Sequence, residues 1–147
     1  MAEIKAADVS KLRKATGAGM MDCKKALQEA EGDFDKAIEV IRKKGQAVAN
    51  KRADREASEG TVQAKVKGSF GAMISLNCET DFVAKNENFV KFALSILDLA
   101  LENQPADLAA LKALPMDGKT VEEKVTEQTG IIGEKLELAY YDFVKAE

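Results

Sequence analysis

A chain of 147 residues, 46% of them hydrophobic, is long enough to bury a real core as one domain or as a small module joined to a larger piece. Its 22 basic and 25 acidic side chains leave a net charge of −3, without the basic excess that a dedicated nucleic-acid binder gathers on one face. Histidine is absent, which removes the commonest general base near neutral pH and excludes Ser/His/Asp triads, Cys/His pairs and HExxH zinc sites.

Other classes fall away on local grounds. No stretch reaches the roughly 18–20 apolar residues of a membrane span. The start, MAEIKAADVS, carries Glu3, Lys5 and Asp8, unlike a signal peptide. Cys23 and Cys78 stand far apart with no CxxC pairing, which reads as reduced, core-filling thiols in a cytoplasmic protein. There is no GxxxxGK[ST] or GxGxxG loop. Carboxylate-only or lysine Schiff-base chemistry stays open, yet no pair of carboxylates flanks a pocket motif. The expectation is a protein that binds another protein and is not an enzyme. It implies no cofactor, no bound metal, no direct nucleic-acid contact and no membrane.

Along the chain, Val9, Leu12 and Ala15 fall at helical spacing between Ala6 and Thr16, and Gly17-Ala18-Gly19 permits a tight reversal. Asp22, Cys23, Ala26, Leu27 and Ala30 mark a second helix ending at Gly32. Asp33 is a good cap for a third, whose stripe is Phe34, Ala37, Ile38 and Ile41 and which Gly45 should close. Residues 1–45 thus read as a three-helix bundle, and 46–59 as a charged, alanine-rich connector, helical or flexible. From Gly60 the period changes. Val62, Ala64 and Val66 alternate with polar neighbours as in a half-buried strand; Gly68-Ser69 turns the chain, and Phe70 to Asn77 returns as a more apolar strand. A helix follows from Asn88 to Leu101, with Phe89, Phe92, Ala93, Ile96, Leu97 and Ala100 on its apolar face. Pro105 and Pro115 bracket a short segment, Leu108 to Leu114. Val121 to Gln128 is a further short amphipathic helix, and the alternation from Leu136 to Phe143 predicts a third strand beside the hairpin. Residues 60–147 are therefore α+β, a small antiparallel sheet covered by helices, and the sheet reads as incomplete.

Two stretches invite a functional explanation. Met20 and Met21 lie on a helix-connecting loop and diverge by about 100° on a helix, so both cannot face one core. Methionine suits adaptable binding surfaces, although one of the pair could simply pack inward. Small three-helix modules with a glycine-containing loop resemble ubiquitin-associated domains, which bind through that loop. The second stretch, Cys78 to Asn86, joins the second strand to a helix. Thr80 can cap a first turn that leaves Asp81 and Phe82 at its edge. Phe82 could be an apolar wedge there, or merely a cover for the sheet.

The run from Leu12 to Leu27, LRKATGAGMMDCKKAL, is similar to the N-terminal module of bacterial elongation factor Ts. The run from Asn77 to Lys85, NCETDFVAK, resembles the TDFVA segment of that family's core domain. The two stand at the family's usual separation with a hairpin between them, and the resemblance extends over essentially the whole chain. It implies a guanine-nucleotide exchange factor that binds elongation factor Tu, GDP-bound and nucleotide-free, displaces magnesium and lets GTP replace GDP. It further implies that Leu12, Arg13, Met20 and Met21 dock on the GTPase domain. Thr80, Asp81, Phe82 and Val83 form the magnesium-displacing segment, with Phe82 inserted. Members of the family usually continue into a second, similar core half, and this chain does not, so docking without efficient exchange is the other outcome implied. A different class stays open as well: an adaptor of the ubiquitin-associated type fused to an unrelated α+β domain. A carboxylate-dependent enzyme has only unpaired carboxylates in its favour.

Overall fold

Helix α1, Ala6–Thr16, ends where Gly17 enters the left-handed region at φ 75° and donates its amide to Arg13 O at 2.8 Å. That is a glycine C-terminal stop, and a side chain there would be strained. The structure, a computed structural model, describes residues 3–146; Met1 and Ala2 of the expected first module and Glu147 of the expected last part lie outside the described residues. Helix α2, Met20–Glu29, turns Cys23, Ala26 and Leu27 inward. Asp33 caps α3, Phe34–Lys51, by accepting from the Lys36 amide at 3.1 Å. The bundle core is Leu12, Ala18, Cys23, Ala26, Leu27, Ala30, Ala37 and Ile41. Five of these are alanine or cysteine, so the helices approach closely and bury little apolar area. Such a core is thin by itself.

Helix α3 supplies the remedy. It does not stop at Gly45, as expected from the glycine, but runs two further turns to Lys51. Gly45 is buried where α3 crosses α7, Val121–Ile132, with backbone against backbone at Gly130. The glycine is used for close approach rather than termination, and the crossing joins the bundle to the rest of the chain.

The second core lies under an antiparallel sheet of order β1-β2-β5, formed by β1 (Glu59–Lys67), β2 (Phe70–Cys78) and β5 (Glu137–Lys145). Phe70, Ala72, Ile74, Leu76 and Cys78 of β2 point at the helices. Helix α5, Glu87–Asn103, is capped by Asn86 and lays Phe89, Ala93, Ile96, Leu97 and Ala100 on them. Each fully buried large side chain of this kind contributes about 1.5–3 kcal/mol. Helices α6 (Leu108–Ala113) and α7 close the core, joined by a two-stranded hairpin, β3 (Pro115–Met116) with β4 (Lys119–Thr120). That hairpin was not expected, although its turn, Asp117-Gly118 at φ 52° and 82°, is the Asp-Gly pair that favours such hairpins. Helix α7 starts from a capping box, Thr120 with Glu123, and ends four residues beyond the expected Gln128.

Two strand expectations are corrected by pairing. Register sets Lys65 opposite Ala72 and Gln63 opposite Ile74, so the polar residues of β1 share the helix-covered face. Val62, Ala64 and Val66 are exposed on the other. Lys65 and Lys67 reach over α5 to Asp98 and Glu102, which suits a charged edge strand. In β5 the register shifts between Ser75 and Leu76 of its partner. The resulting bulge puts Tyr141, beside Leu138, on the buried face, where strict alternation from Leu136 would have put Tyr140. Tyr141 donates to Pro105 O at 2.8 Å, and Phe143 stacks on Phe70 at 5.3 Å.

Candidate partner-binding site

Beyond β2 the chain makes one turn of helix, α4 (Asp81–Ala84), before α5. Thr80 is extended, at φ −121° and ψ 155°, and its Oγ1 accepts from the Val83 amide at 3.4 Å. That cap orients the four residues. Val83 and Ala84 turn inward against the sheet core. Asp81 is exposed and lies 3.7 Å from Lys85. Phe82 is 83% exposed, so it does not cover the sheet. An aromatic ring left in water forgoes the transfer free energy of burial, about 2–3 kcal/mol.

The backbone that carries Phe82 is held firmly. Glu134, just past α7, accepts from the amides of Glu79 and Thr80 at 3.2 and 3.0 Å and from Thr80 Oγ1 at 2.7 Å. In exchange, Glu79 accepts from the Lys135 amide at 2.5 Å and from Arg52 Nη1 at 2.9 and 2.8 Å. Desolvation pushes the Glu79 carboxyl up, but the Lys135 amide and the Arg52 guanidinium outweigh it and hold it below the usual carboxylate range. Cys78 donates to Thr80 O at 3.2 Å, and burial, with the nearby Glu134 carboxylate, pushes its thiol up to about 11. Segments 78–80, 134–135 and the end of α3 are thus cross-linked by charge-assisted hydrogen bonds.

On the helical bundle, Gly19 precedes α2, and Met20 and Met21 occupy its first turn ahead of the inward stripe. Both are exposed, at 59% and 61%. With Arg13 and Lys24 they line an open groove that also takes in Ile4 and Val9. Leu12 is different. It is fully buried in the bundle core, so its expected place on a contact surface is corrected: it supports α1 from beneath while Arg13 points outward. The structure therefore gathers Arg13, Met20 and Met21 on one surface and Thr80 to Val83 on one turn, and the groove includes no residue of that turn.

Sequence reasoning missed Glu134, Glu79 and Arg52. Their partners are remote along the chain, and a lone glutamate or arginine carries no local signal of such pairing. Among the described residues no group of three or more His, Cys, Asp or Glu is placed to hold a metal ion. None of the described helices is long and apolar enough to cross a membrane. What the arrangement offers is an apolar, adaptable surface on the bundle and a projecting ring on a fixed turn.

The family profile described as Elongation factor TS matches residues 79–147. The chain is 60% identical over 139 residues to an elongation factor Ts of Parabacteroides distasonis, a match covering 95% of this chain and 42% of that protein. It is 60% identical over 148 residues to that of Christiangramia forsetii, covering 99% and 53%, and 53% identical over 138 residues to that of Porphyromonas gingivalis, covering 93% and 50%. The chain spans about half the length of these relatives. The ordered motifs, the turn built around Thr80 and these identities lead to one statement of kinship: the chain belongs to the elongation factor Ts family.

Proposed function

We propose that this chain is a guanine-nucleotide exchange factor. It binds elongation factor Tu loaded with GDP, displaces its magnesium and promotes GDP release, remaining on the nucleotide-free form until GTP enters. The single observation that carries this is Phe82, the most exposed of the large apolar side chains among the described residues, presented on a turn whose backbone is pinned. Magnesium in a GTPase site bridges phosphates and protein oxygens in near-ideal octahedral geometry, which tolerates little displacement. A ring that buries itself only in the displaced geometry gains about 2–3 kcal/mol there and nothing in the GDP state. That difference shifts the equilibrium toward release. Reciprocity requires GDP to weaken the factor's own binding equally.

In this reading Thr80 caps the turn, Phe82 inserts with Asp81 beside it, and Val83 anchors the turn to the core. The bundle, with the organisation of a ubiquitin-associated domain, docks on the GTPase domain through Arg13, Met20 and Met21, with Leu12 beneath them. The division into a docking module (1–45), a connector (46–59) and a core part (60–147) is functional, since α3 runs through the first boundary. The protein acts in the cytoplasm, does no covalent chemistry, and touches neither nucleic acid nor membrane directly.

The test is release of a fluorescent GDP from elongation factor Tu with and without the chain. Acceleration that is lost in Phe82→Ala, while binding to the nucleotide-free partner persists, is the expected result. Unchanged release with the Phe82→Ala variant sinks the role of the ring. If the unaltered chain binds the nucleotide-free partner without accelerating release, it docks alone.

A further inference from the structure

The turn that carries Phe82 rests on the sheet core through Val83 and Ala84. Helix α4 is a single turn, and the Phe82 ring is in solvent. With Val83 and Ala84 seated on the core, its entry angle is set by the two residues that lead into it, Glu79 and Thr80. Both main-chain amides of that pair, and the Thr80 hydroxyl, donate to one carboxylate, Glu134. The Thr80 oxygen accepts the Val83 amide on a lone pair while its proton goes to Glu134, so the bond to Glu134 holds the hydroxyl in the orientation in which it caps. Glu134 thus fixes the cap as well as the entry angle. The reciprocal half of the clamp, Glu79 on the Lys135 amide and on Arg52, ties the same point to the end of α3.

We propose that Glu134 is a positioning residue for nucleotide exchange, and that together with the Glu79–Arg52 pair it holds the turn so that Phe82 projects as a preset wedge. This rests on the function proposed for Phe82. A ring on a loose turn would reach the same pocket but lose freedom on entering it, and that cost falls on the step in which it inserts. Releasing the clamp therefore slows exchange at saturation, whereas docking through the bundle, which uses other residues, is unaffected.

The experiment compares the unaltered chain with Glu134→Ala, Glu134→Gln and Arg52→Ala in two measurements. Amide hydrogen exchange at Glu79 and Thr80 should accelerate by about tenfold or more in Glu134→Ala, with the Cys23 and Leu27 amides of the bundle unchanged. Release of fluorescent GDP, followed across factor concentrations, should fall about tenfold at saturation while the half-saturating concentration moves less than about twofold. Glu134→Gln keeps an acceptor for the amides and should fall between. Arg52→Ala, at a partly exposed site, should slow release in the same sense, and it provides a second arm if Glu134→Ala does not fold. Full release at saturation by a folded Glu134 variant overturns the proposal, as does a loss seen only as a raised half-saturating concentration. If the unaltered chain gives no acceleration, the reading of Phe82 itself fails and takes this one with it.

Discussion

The crossing of α3 and α7 makes a sharp prediction, because two glycines meet there and only one of them is tight. A Cβ added at Gly130 would land on the Cα of Gly45 and lie 3.3 and 3.4 Å from its N and C atoms. All three obstacles are backbone, so no side chain can swing aside, and the helices would have to part by about 1 Å or more to restore van der Waals contact. Helix α7 is poorly placed to bend away. Its last turn is pinned by Thr129, buried, which donates to Val125 O and accepts from the Leu136 amide, both at 3.1 Å. Overpacking of this kind costs about 1–3 kcal/mol, and alanine returns up to about 1 kcal/mol of helix propensity. Gly130→Ala is therefore expected to destabilise by about 1–2 kcal/mol. At Gly45 the added Cβ would sit 3.8 Å from the Cα atoms of Glu127 and Gly130, an ordinary contact. Gly45→Ala keeps the propensity gain and should be neutral or stabilising by up to about 1 kcal/mol. Urea unfolding at neutral pH measures both, with midpoints moving in opposite directions at unchanged slope. A Gly130→Ala chain as stable as the original would refute the reasoning, because it would mean that the crossing is loose.

Two further outcomes concern the clamp. Glu79 has a depressed carboxyl, so its contribution to stability is fully present above the ordinary value of 4.5 and is lost as the pH falls through its lower folded value. Unfolding measured at about pH 5 and about pH 3 should show the original chain losing more stability than Glu79→Gln; equal losses would contradict the pairing. Cys78 is buried with its thiol raised to about 11, so a thiolate reagent at about pH 8 should leave it unmodified in the native chain and label it on unfolding. Fast native labelling of Cys78 would contradict its burial.

Apart from the Asp117-Gly118 hairpin, the sequence carried the fold where local chemistry decides it. The stop at Gly17, the caps at Asp33 and Thr80, and the turn at Gly68 each act within a few residues, and each falls where expected. It misled wherever a distant partner decides. Gly45 has the chemistry of a helix stop, but Gly130 lies across from it, and close packing outweighs the propensity penalty. The alternation of β1 gives two possible faces, and only pairing with the more apolar β2 chooses which is covered. The bulge in β5 inverts the expectation for Tyr140 and Tyr141 without any glycine or proline to announce it. The candidate site divides the same way. Phe82, Met20 and Met21 stood out because large apolar side chains lie where a turn should be polar, but the pattern left burial and exposure both open and the family resemblance made the choice. The carboxylates that hold the turn did not stand out, since nothing at Glu134 points to Thr80.

That division bears on how the proposed exchange would work. The two candidate contact surfaces belong to different cores, and two of the contacts that join them are made by α3 and its C-cap. One is the backbone contact of Gly45 with Gly130; the other is the Arg52 guanidinium on Glu79, at the root of the turn. A chain joined through a flexible connector would hold docking module and wedge at a range of separations, and the ring would find its pocket only in a fraction of encounters. Here the helix that ends the bundle is also the strut that carries the clamp. In the proposed exchange, docking through Arg13, Met20 and Met21 would then deliver Phe82 in one orientation. The ordering cost would have been met during folding, and more of the transfer free energy of the ring would remain for the proposed displacement of the metal. The adaptability of the methionines and the fixity of the turn are in this view complementary: the first lets the module seat, and the second lets the seated factor push.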